Sequence, residues 1–369
     1  MTIRERLGST ATTADEAHPA WSYDEFTPLR EVIIGSPEGA RIPAGPDHSS
    51  WLNLYGDLSY PEYARARTGQ FPPRVIEETT EDLATLAAIL HGLGIVVHRG
   101  APLDHSREFG TPDWRSEGFH SYCPRDLAVV VGSTIIETPS PMRARYFELF
   151  GLQPIFQRYL LRGSTWISAP RPRLTAELYQ VDEAGRPALG ELEPAFEAAN
   201  ILRCGRDIFY QVSTSGNELG RRWLEATLRL LGDFRLHPLR GVYGFTHIDS
   251  TISFLRPGLV LINPERVNET NLPQPLRGWD VLWCPPMVDH EPAGEHQPLS
   301  STWLGMNLLM LAPDLALVDA RQVDLIRALE RRQITVVPHV LRHARTLGGG
   351  FHCVTLDTVR EGGLVDYFG

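Results

Sequence analysis

The sequence predicts an α/β fold made of one repeated unit: a strand, a helix, a strand and a hairpin, about five times over. Two patterns carry this. First, a polar residue repeatedly opens a β-rich run, a turn follows, and a second β-rich run returns. Asp126-Leu-Ala-Val-Val-Val-Gly-Ser-Thr-Ile-Ile-Glu is one copy and Asp207-Ile-Phe-Tyr-Gln-Val a shorter one. The stretch from His247 to Asn263 is a third, and that from Asn307 to Asp319, turning at Pro313-Asp314, a fourth; Cys353-Val-Thr-Leu-Asp opens the last. Second, helical stretches alternate with these hairpins, as parallel strands require, because they need long crossovers. The copies differ too much in length for a stacked solenoid. A closed ring of such units gathers equivalent strand ends at its centre. It would bring Asp126, Asp207, His247, Asp249, the Ser300–Asn307 segment and Cys353 to one cavity.

Taken in order, residues 1–20 are polar and read as a disordered tail, leaving 21–369 as a single domain. Leu29-Arg-Glu-Val-Ile-Ile-Gly is a short buried strand. Residues 36–75, rich in Gly, Pro, Asp and Tyr, read as a long loop or lid. Residues 74–93 form an amphipathic helix with Val75, Leu83, Leu86 and Leu90 on one face. Gly-Ile-Val-Val-His at 94–98 is the next strand. The clearest later helices are Glu218–Leu231 and Gln322–Arg332.

With 42% hydrophobic and 22% charged residues, the 369-residue chain can bury a sizeable core. A formal charge of -10 argues against a nucleic-acid partner. The basic residues are all Arg, so Schiff-base chemistry, a pyridoxal phosphate attachment point and a P-loop lysine are excluded. The four Cys, at 123, 204, 284 and 353, form no CxxC pair and no zinc signature. No apolar run approaches membrane-spanning length and the N-terminus has no secretory h-region. A cytoplasmic protein with reduced thiols and no membrane partner is expected.

Thr-Leu-Gly-Gly-Gly-Phe-His-Cys, 346–353, is the most informative stretch. A glycine run lets backbone approach closely, and a Cys at its end is held rigidly at the rim of a cleft. The alternative is a Gly-rich turn before a strand with a buried Cys. Gathered with it are one or two His and three Asp. That set is a nucleophile, a proton carrier and anionic binders. Asp126 and Asp249 need a reason to crowd together, and a planar guanidinium, clamped by two carboxylates, supplies one. His352 precedes the Cys by one residue, so on a strand it faces away and is read as structural. Cys123, Cys204 and Cys284 are expected in apolar surroundings.

The strings Arg-Asp-Leu at 125–127, Gly-Arg-Asp-Ile-Phe at 205–209, His-Ile-Asp-Ser-Thr at 247–251, Arg-Pro-Gly-Leu-Val-Leu-Ile-Asn-Pro-Glu-Arg at 256–266, Ser-Ser-Thr-Trp-Leu-Gly-Met-Asn at 300–307 and Leu-Gly-Gly-Gly-Phe-His-Cys at 347–353 resemble the amidinotransferase family. The resemblance runs from about Trp21 to the C-terminus. It implies the pentein fold, a five-module α/β-propeller with pseudo-fivefold arrangement around a central active site. It implies Cys353 as nucleophile, His247 as general acid/base and Asp207 as its carboxylate partner. It further implies Asp126 and Asp249 as guanidinium binders, Arg266 on the arginine carboxylate, and Ser300 and Ser301 as further donors. The reaction implied is ping-pong: L-arginine leaves its amidino group on the cysteine, ornithine departs, and an amine acceptor takes the group. No metal or organic cofactor is required, and a homodimer is the family's habit.

Glycine amidinotransferases carry an Asn and a Met just before the catalytic His. Here Gly244, Phe245 and Thr246 stand there, leaving room for a bulkier acceptor. Several segments are more similar to the inosamine-phosphate branch, which implies a phosphorylated aminocyclitol in antibiotic biosynthesis, with Arg240, Arg342 or Arg345 near its phosphate. The alternatives are another amine of a secondary-metabolite pathway, an arginine deiminase-like hydrolase, or a non-catalytic binding protein on the same scaffold.

Overall fold

The computed structural model describes residues 18–55, 58–289 and 298–369. The expected tail lies outside these residues as far as position 17. Ala20 is already buried, its N–H donating to Ser164 Oγ at 2.8 Å.

Among the described residues, five sheets have three strands each. Four share one plan: an antiparallel hairpin whose second strand pairs in parallel with a third. They are Ala128–Val131, Thr134–Glu137 and Thr165–Ser168; Ile201–Cys204, Asp207–Gln211 and Arg235–Leu239; Ile252–Arg256, Leu259–Ile262 and Asp280–Trp283; and Leu309–Ala312, Leu315–Asp319 and Thr335–His339. The remaining sheet is assembled from both ends of the chain. Leu29–Ile34 pairs antiparallel with the last strand, Thr355–Arg360, and parallel with Val96–Arg99.

The crossovers to the parallel strands are the helices Pro73–Gly92, Gln153–Leu161, Glu218–Leu231 and Val323–Arg331. Leu83, Leu86 and Leu90 are buried as their spacing predicts, while Val75 is only partly covered. Asn217 caps Glu218–Leu231, its side chain accepting from the Gly220 N–H at 2.8 Å. The sheet at Ile252 departs from the expected unit. Its crossover is only a 3-10 turn, Gln274–Gly278.

Alternation along the inner strands explains the core. Ala128 and Val130 point into a cluster with Ile33 and Leu356, whereas Val129 and Val131 point into one with Ile201, Ile208 and Tyr210. Leu202 and Phe209 face the opposite way, into a cluster with Ile252, Phe254, Met310 and Ala316. Leu309, Leu311, Leu315 and Leu317 face Val32 and Ile34. Each hairpin therefore has two apolar faces, one per neighbouring sheet, which is why these strands read as continuous apolar runs.

Candidate active site

The first strand of each hairpin is entered from a turn or bend. These are Pro124–Asp126 before Ala128, Ala198–Asn200 before Ile201, residues 247–251 before Ile252, Thr302–Met306 before Leu309, and residues 351–354 before Thr355. The turns, or the residues just ahead of them, supply Asp126, Glu197, His247, Asp249, Ser300, Ser301 and Cys353 to one cavity of about 270 Å³. Backbone freed from strand pairing aims these side chains together while the strands behind fix them.

Cys353 lies in its turn, two residues before the strand it was expected to open. Its thiol donates to Asp249 Oδ2 at 3.1 Å, and Asn307 Nδ2 donates to the sulfur at 3.3 Å. Asn307 Oδ1 accepts the N–H groups of His352 and Cys353 at 2.9 and 3.2 Å. One asparagine thus fixes the turn and faces the sulfur. The glycines before it are required by close approach. A Cβ at Gly350 would lie 2.7 Å from Asn307 Oδ1, and one at Gly349 would lie 2.4 Å from Cys123 Sγ. Burial, reinforced by the negative charge of Asp249, pushes the Cys353 thiol well above its ordinary range, so it rests protonated.

His247 is held in the left-handed region at φ 60, unusual for a non-glycine residue and characteristic of functional sites. Its Nε2 is 2.5 Å from Glu197 Oε2 and its Nδ1 is 3.8 Å from Asp126 Oδ1. Burial alone would lower the imidazolium, but the carboxylates of Asp126 and Glu197 prevail and raise it to about 9. Burial likewise opposes ionisation of Glu197, yet the Arg145 guanidinium and the His247 bond bring it down to about 2. Arg145 organises this corner. It donates to Asp126 Oδ2 at 2.7 Å, Glu197 Oε1 at 3.1 Å, both oxygens of Glu148, and the Cys123 carbonyl.

Asp126 Oδ1 is buried without a hydrogen-bond partner, and burial raises the carboxyl despite His247 and Arg145. Arg266 sits at the rim, its Cζ 3.6 Å from the Tyr243 ring centroid, with donors to Ser250, Thr251 and Ser301. Ser300 Oγ is another buried unpartnered atom. Phe245 and Thr246 line the cavity, whereas Gly244 stands outside its lining, its carbonyl accepting from the Thr214 N–H. Of the three arginines considered for a phosphate, only Arg345 lines the cavity. All three are paired: Arg345 with Asp289 and, through Nε at 3.1 Å, the Ser300 carbonyl, Arg240 with Glu218, and Arg342 with Asp82 and Glu81. The described residues of the 36–75 segment are no open loop. The helix His48–Leu54 is largely buried, and Asn53, Leu54, Tyr55 and Leu58 cover the cavity.

Asp207 is not the partner of His247. It opens the second strand of its hairpin, opposite Cys204 and at the turn end, whereas Ile201 and Tyr210 pair at the end nearer the cavity. Its carboxylate is taken by Arg235 and His237, the latter 2.6 Å away. Glu197 occupies the expected role's position. It escaped the sequence reading because it stands in Ala-Phe-Glu-Ala-Ala-Asn, without the Arg-Asp string that drew attention to Asp207. The usable signal was its place, just ahead of the first hairpin strand like Asp126 and Asp249. Arg145, Asn307 and Cys123 were likewise missed as parts of the site; Cys123 lines the cavity.

Asp126, Glu197 and His247 offer ligand atoms within 4.8 Å of one another, a spacing that suits a metal ion. Arg145 Nη1, however, already bridges the two carboxylates. A fixed guanidinium there repels a second cation, so the donor set does not fit a metal. What the arrangement fits is a planar cation held beside a sulfur, with a charged imidazole opposite.

No helix among the described residues is long and apolar enough to cross a membrane. No family model matches the chain. It is 47% identical over 345 residues to inosamine-phosphate amidinotransferase 1 of Streptomyces glaucescens, covering 94% of this chain and 98% of that protein. It is 36% identical over 376 residues to the mitochondrial glycine amidinotransferase of Xenopus tropicalis, covering 96% and 86%. The solved structure of inosamine-phosphate amidinotransferase StrB1 from Streptomyces griseus superposes with a TM-score of 0.89 at 48% identity, covering 95% of this chain and 99% of that one. At such identity over nearly whole chains, this protein belongs to the amidinotransferase family, enzymes that transfer amidino groups from arginine.

Proposed function

We propose that the protein moves the amidino group of L-arginine to the amine of a phosphorylated aminocyclitol, releasing L-ornithine, in antibiotic biosynthesis. The observation that carries the donor side is Asp126 Oδ1. It is a buried carboxylate oxygen without a partner, in the same cavity as Asp249 and Cys353. An unpaired buried acceptor is unfavourable unless a ligand completes it, and guanidinium is a ligand with N–H donors for two carboxylates at once. The acceptor side rests on relatives named inosamine-phosphate amidinotransferases, near 47% identical. Arg345 at the rim and the small Thr246 suit a bulky anionic acceptor.

In this reading the substrate cation, lodged between Asp126 and Asp249, offsets the carboxylate charge that keeps the proton on sulfur. The sulfur bonds to the guanidinium carbon and the carbon–Nε bond breaks. His247, charged below about pH 9, gives its proton to the departing nitrogen and recovers one from the thiol, with Glu197 holding the ring. Thiol and guanidinium thus become a cationic S-amidinocysteine and a neutral amine. In the second half-reaction the acceptor nitrogen bonds to the same carbon, the carbon–sulfur bond breaks, and the acceptor's proton returns through His247 to the sulfur. Arg266 with Ser300 and Ser301 holds the arginine carboxylate end. The His48–Leu54 cover keeps water from the intermediate.

The five sheets, each sharing an apolar cluster with the next and the last with the first, support a closed five-module propeller over 21–369 as the frame. A homodimer in the cytoplasm completes the proposal; four free cysteines accord with a reducing compartment. The test is intact mass after incubation with arginine, then a panel of amine acceptors. One amidino group on Cys353 and ornithine release proportional to a phosphorylated aminocyclitol are expected. Citrulline and ammonia from arginine alone would make it a hydrolase, and an unmodified Cys353 would make it a binder.

A further inference from the structure

His352 is a buried imidazole between two carboxylates. Its Nδ1 is 3.0 Å from Asp249 Oδ2, the oxygen that also accepts from the Cys353 thiol, and its Nε2 is 3.2 Å from Glu25 Oε2. A carboxylate can only accept, and a neutral imidazole donates from one nitrogen alone. Both contacts are hydrogen bonds only when the ring carries both protons. Glu25 in turn is anchored, accepting from Arg203 Nε and Nη2 at 2.9 and 3.0 Å, with Arg125 Nη1 3.7 Å away. The backbone of His352 is fixed independently, its N–H on Asn307 and its carbonyl 3.4 Å from Arg125 Nε. The side chain is therefore free to be chosen for what it does to Asp249.

We infer that His352, anchored by Glu25, is a positioning residue of the reaction: as a doubly protonated ring it fixes the Asp249 carboxylate toward sulfur and guanidinium, and its charge counters the hold of that carboxylate on the thiol proton. Asp249 faces a conflict that this resolves. Its charge is needed to bind a cation, yet the same charge disfavours the neighbouring thiolate. A cation on its far side keeps the carboxylate ionised and oriented for the first role while weakening the second. The inference rests on the amidino-transfer reading. The charged and titratable groups around the pair are Asp126, Cys123 and His247 on the cavity side, and Glu25, Arg125, Arg203 and Asp357 behind.

Two variants separate positioning from packing. His352→Asn keeps an amide N–H where Nδ1 meets Asp249 but loses the charge and the reach to Glu25. His352→Gln loses the charge and carries its amide toward Glu25. Steady-state kinetics with arginine would be paired with the pH dependence of iodoacetamide labelling of the Cys353 peptide, read by mass spectrometry without substrate. The expected result is a KM for arginine raised about tenfold or more in His352→Gln and less in His352→Asn, the range of a lost charge-assisted hydrogen bond. The labelling midpoint should move to higher pH in both. Wild-type KM and an unmoved midpoint in both variants, with the wild type still forming its amidino adduct, would overturn the positioning role alone. Absence of the adduct in the wild type would instead overturn the reading beneath it.

Discussion

Glu197 and Asp207 are both buried carboxylates with a histidine close by, and the choice between them is experimental. Glu197→Gln keeps the shape but removes the charge facing His247. It should slow adduct formation by about 10²- to 10⁴-fold, the usual worth of a supported general acid. Asp207→Asn should leave that rate within about twofold, since its carboxylate serves Arg235 and His237, and should lower stability by about 1–3 kcal/mol. Equal losses of rate in the two would refute the assignment. The same pair sets a pH window. His247 is raised from 6.5 to about 9 on folding, so its stabilisation is full below about pH 6.5 and lost as pH rises through 9. Glu197 is lowered from 4.5 to about 2, so its share is present above 4.5 and lost as pH falls toward 2. Urea midpoints from about pH 5 to about pH 10 should therefore decline on the alkaline side in the wild type. The decline should be flatter in Glu197→Gln, where, of the two carboxylates that raise His247, only Asp126 keeps its charge.

At the scale of elements, periodicity was legible and ends were not. Leu83, Leu86 and Leu90 declare their helix, and Pro313-Asp314 declares its turn, because local chemistry decides both. Asp207 misled because both strands of a hairpin open on a polar residue, yet antiparallel pairing puts those openings at opposite ends of the sheet. Nothing local distinguishes them. The turns that carry the site are legible only by analogy among the copies, since what makes them functional is the meeting of five distant segments. Strand alternation turns His352 away from Cys353, but residues 351–354 are a turn, where that rule does not apply. The glycines of that turn are a clean test of element-level constraint. Gly350→Ala puts a methyl 2.7 Å from Asn307 Oδ1 and 2.8 Å from its Cβ. The turn or the asparagine must shift, with a loss of about 1–3 kcal/mol and slower adduct formation. Thermal unfolding and the single-turnover rate would both fall; an unchanged rate would detach Asn307 from the sulfur.

Across the whole molecule, the catalytic turns rest on a buried ionic hub. Asp357, on the last strand, accepts from Arg203 and Arg360 and pairs with Arg125 at 2.6 Å. Arg203 also reaches Glu25, Ser22 and the Val130 carbonyl, and Arg360 reaches the Thr27 and Met310 carbonyls. Three sheets and the N-terminal segment thus meet on one guanidinium at Arg203. Carboxylates left alone in such a place are strongly unfavourable, while removing charges in matched sets is far milder. Arg203→Met takes the bidentate partner from Glu25, which keeps only His352 and the more distant Arg125, and one of three guanidinium partners from Asp357; it should lower unfolding free energy by about 3–5 kcal/mol. Adding Glu25→Gln neutralises one stranded partner, so the double variant should recover part of that loss in a double-mutant cycle of urea unfolding. Strictly additive losses would mean that the hub is a set of independent contacts rather than one coupled network.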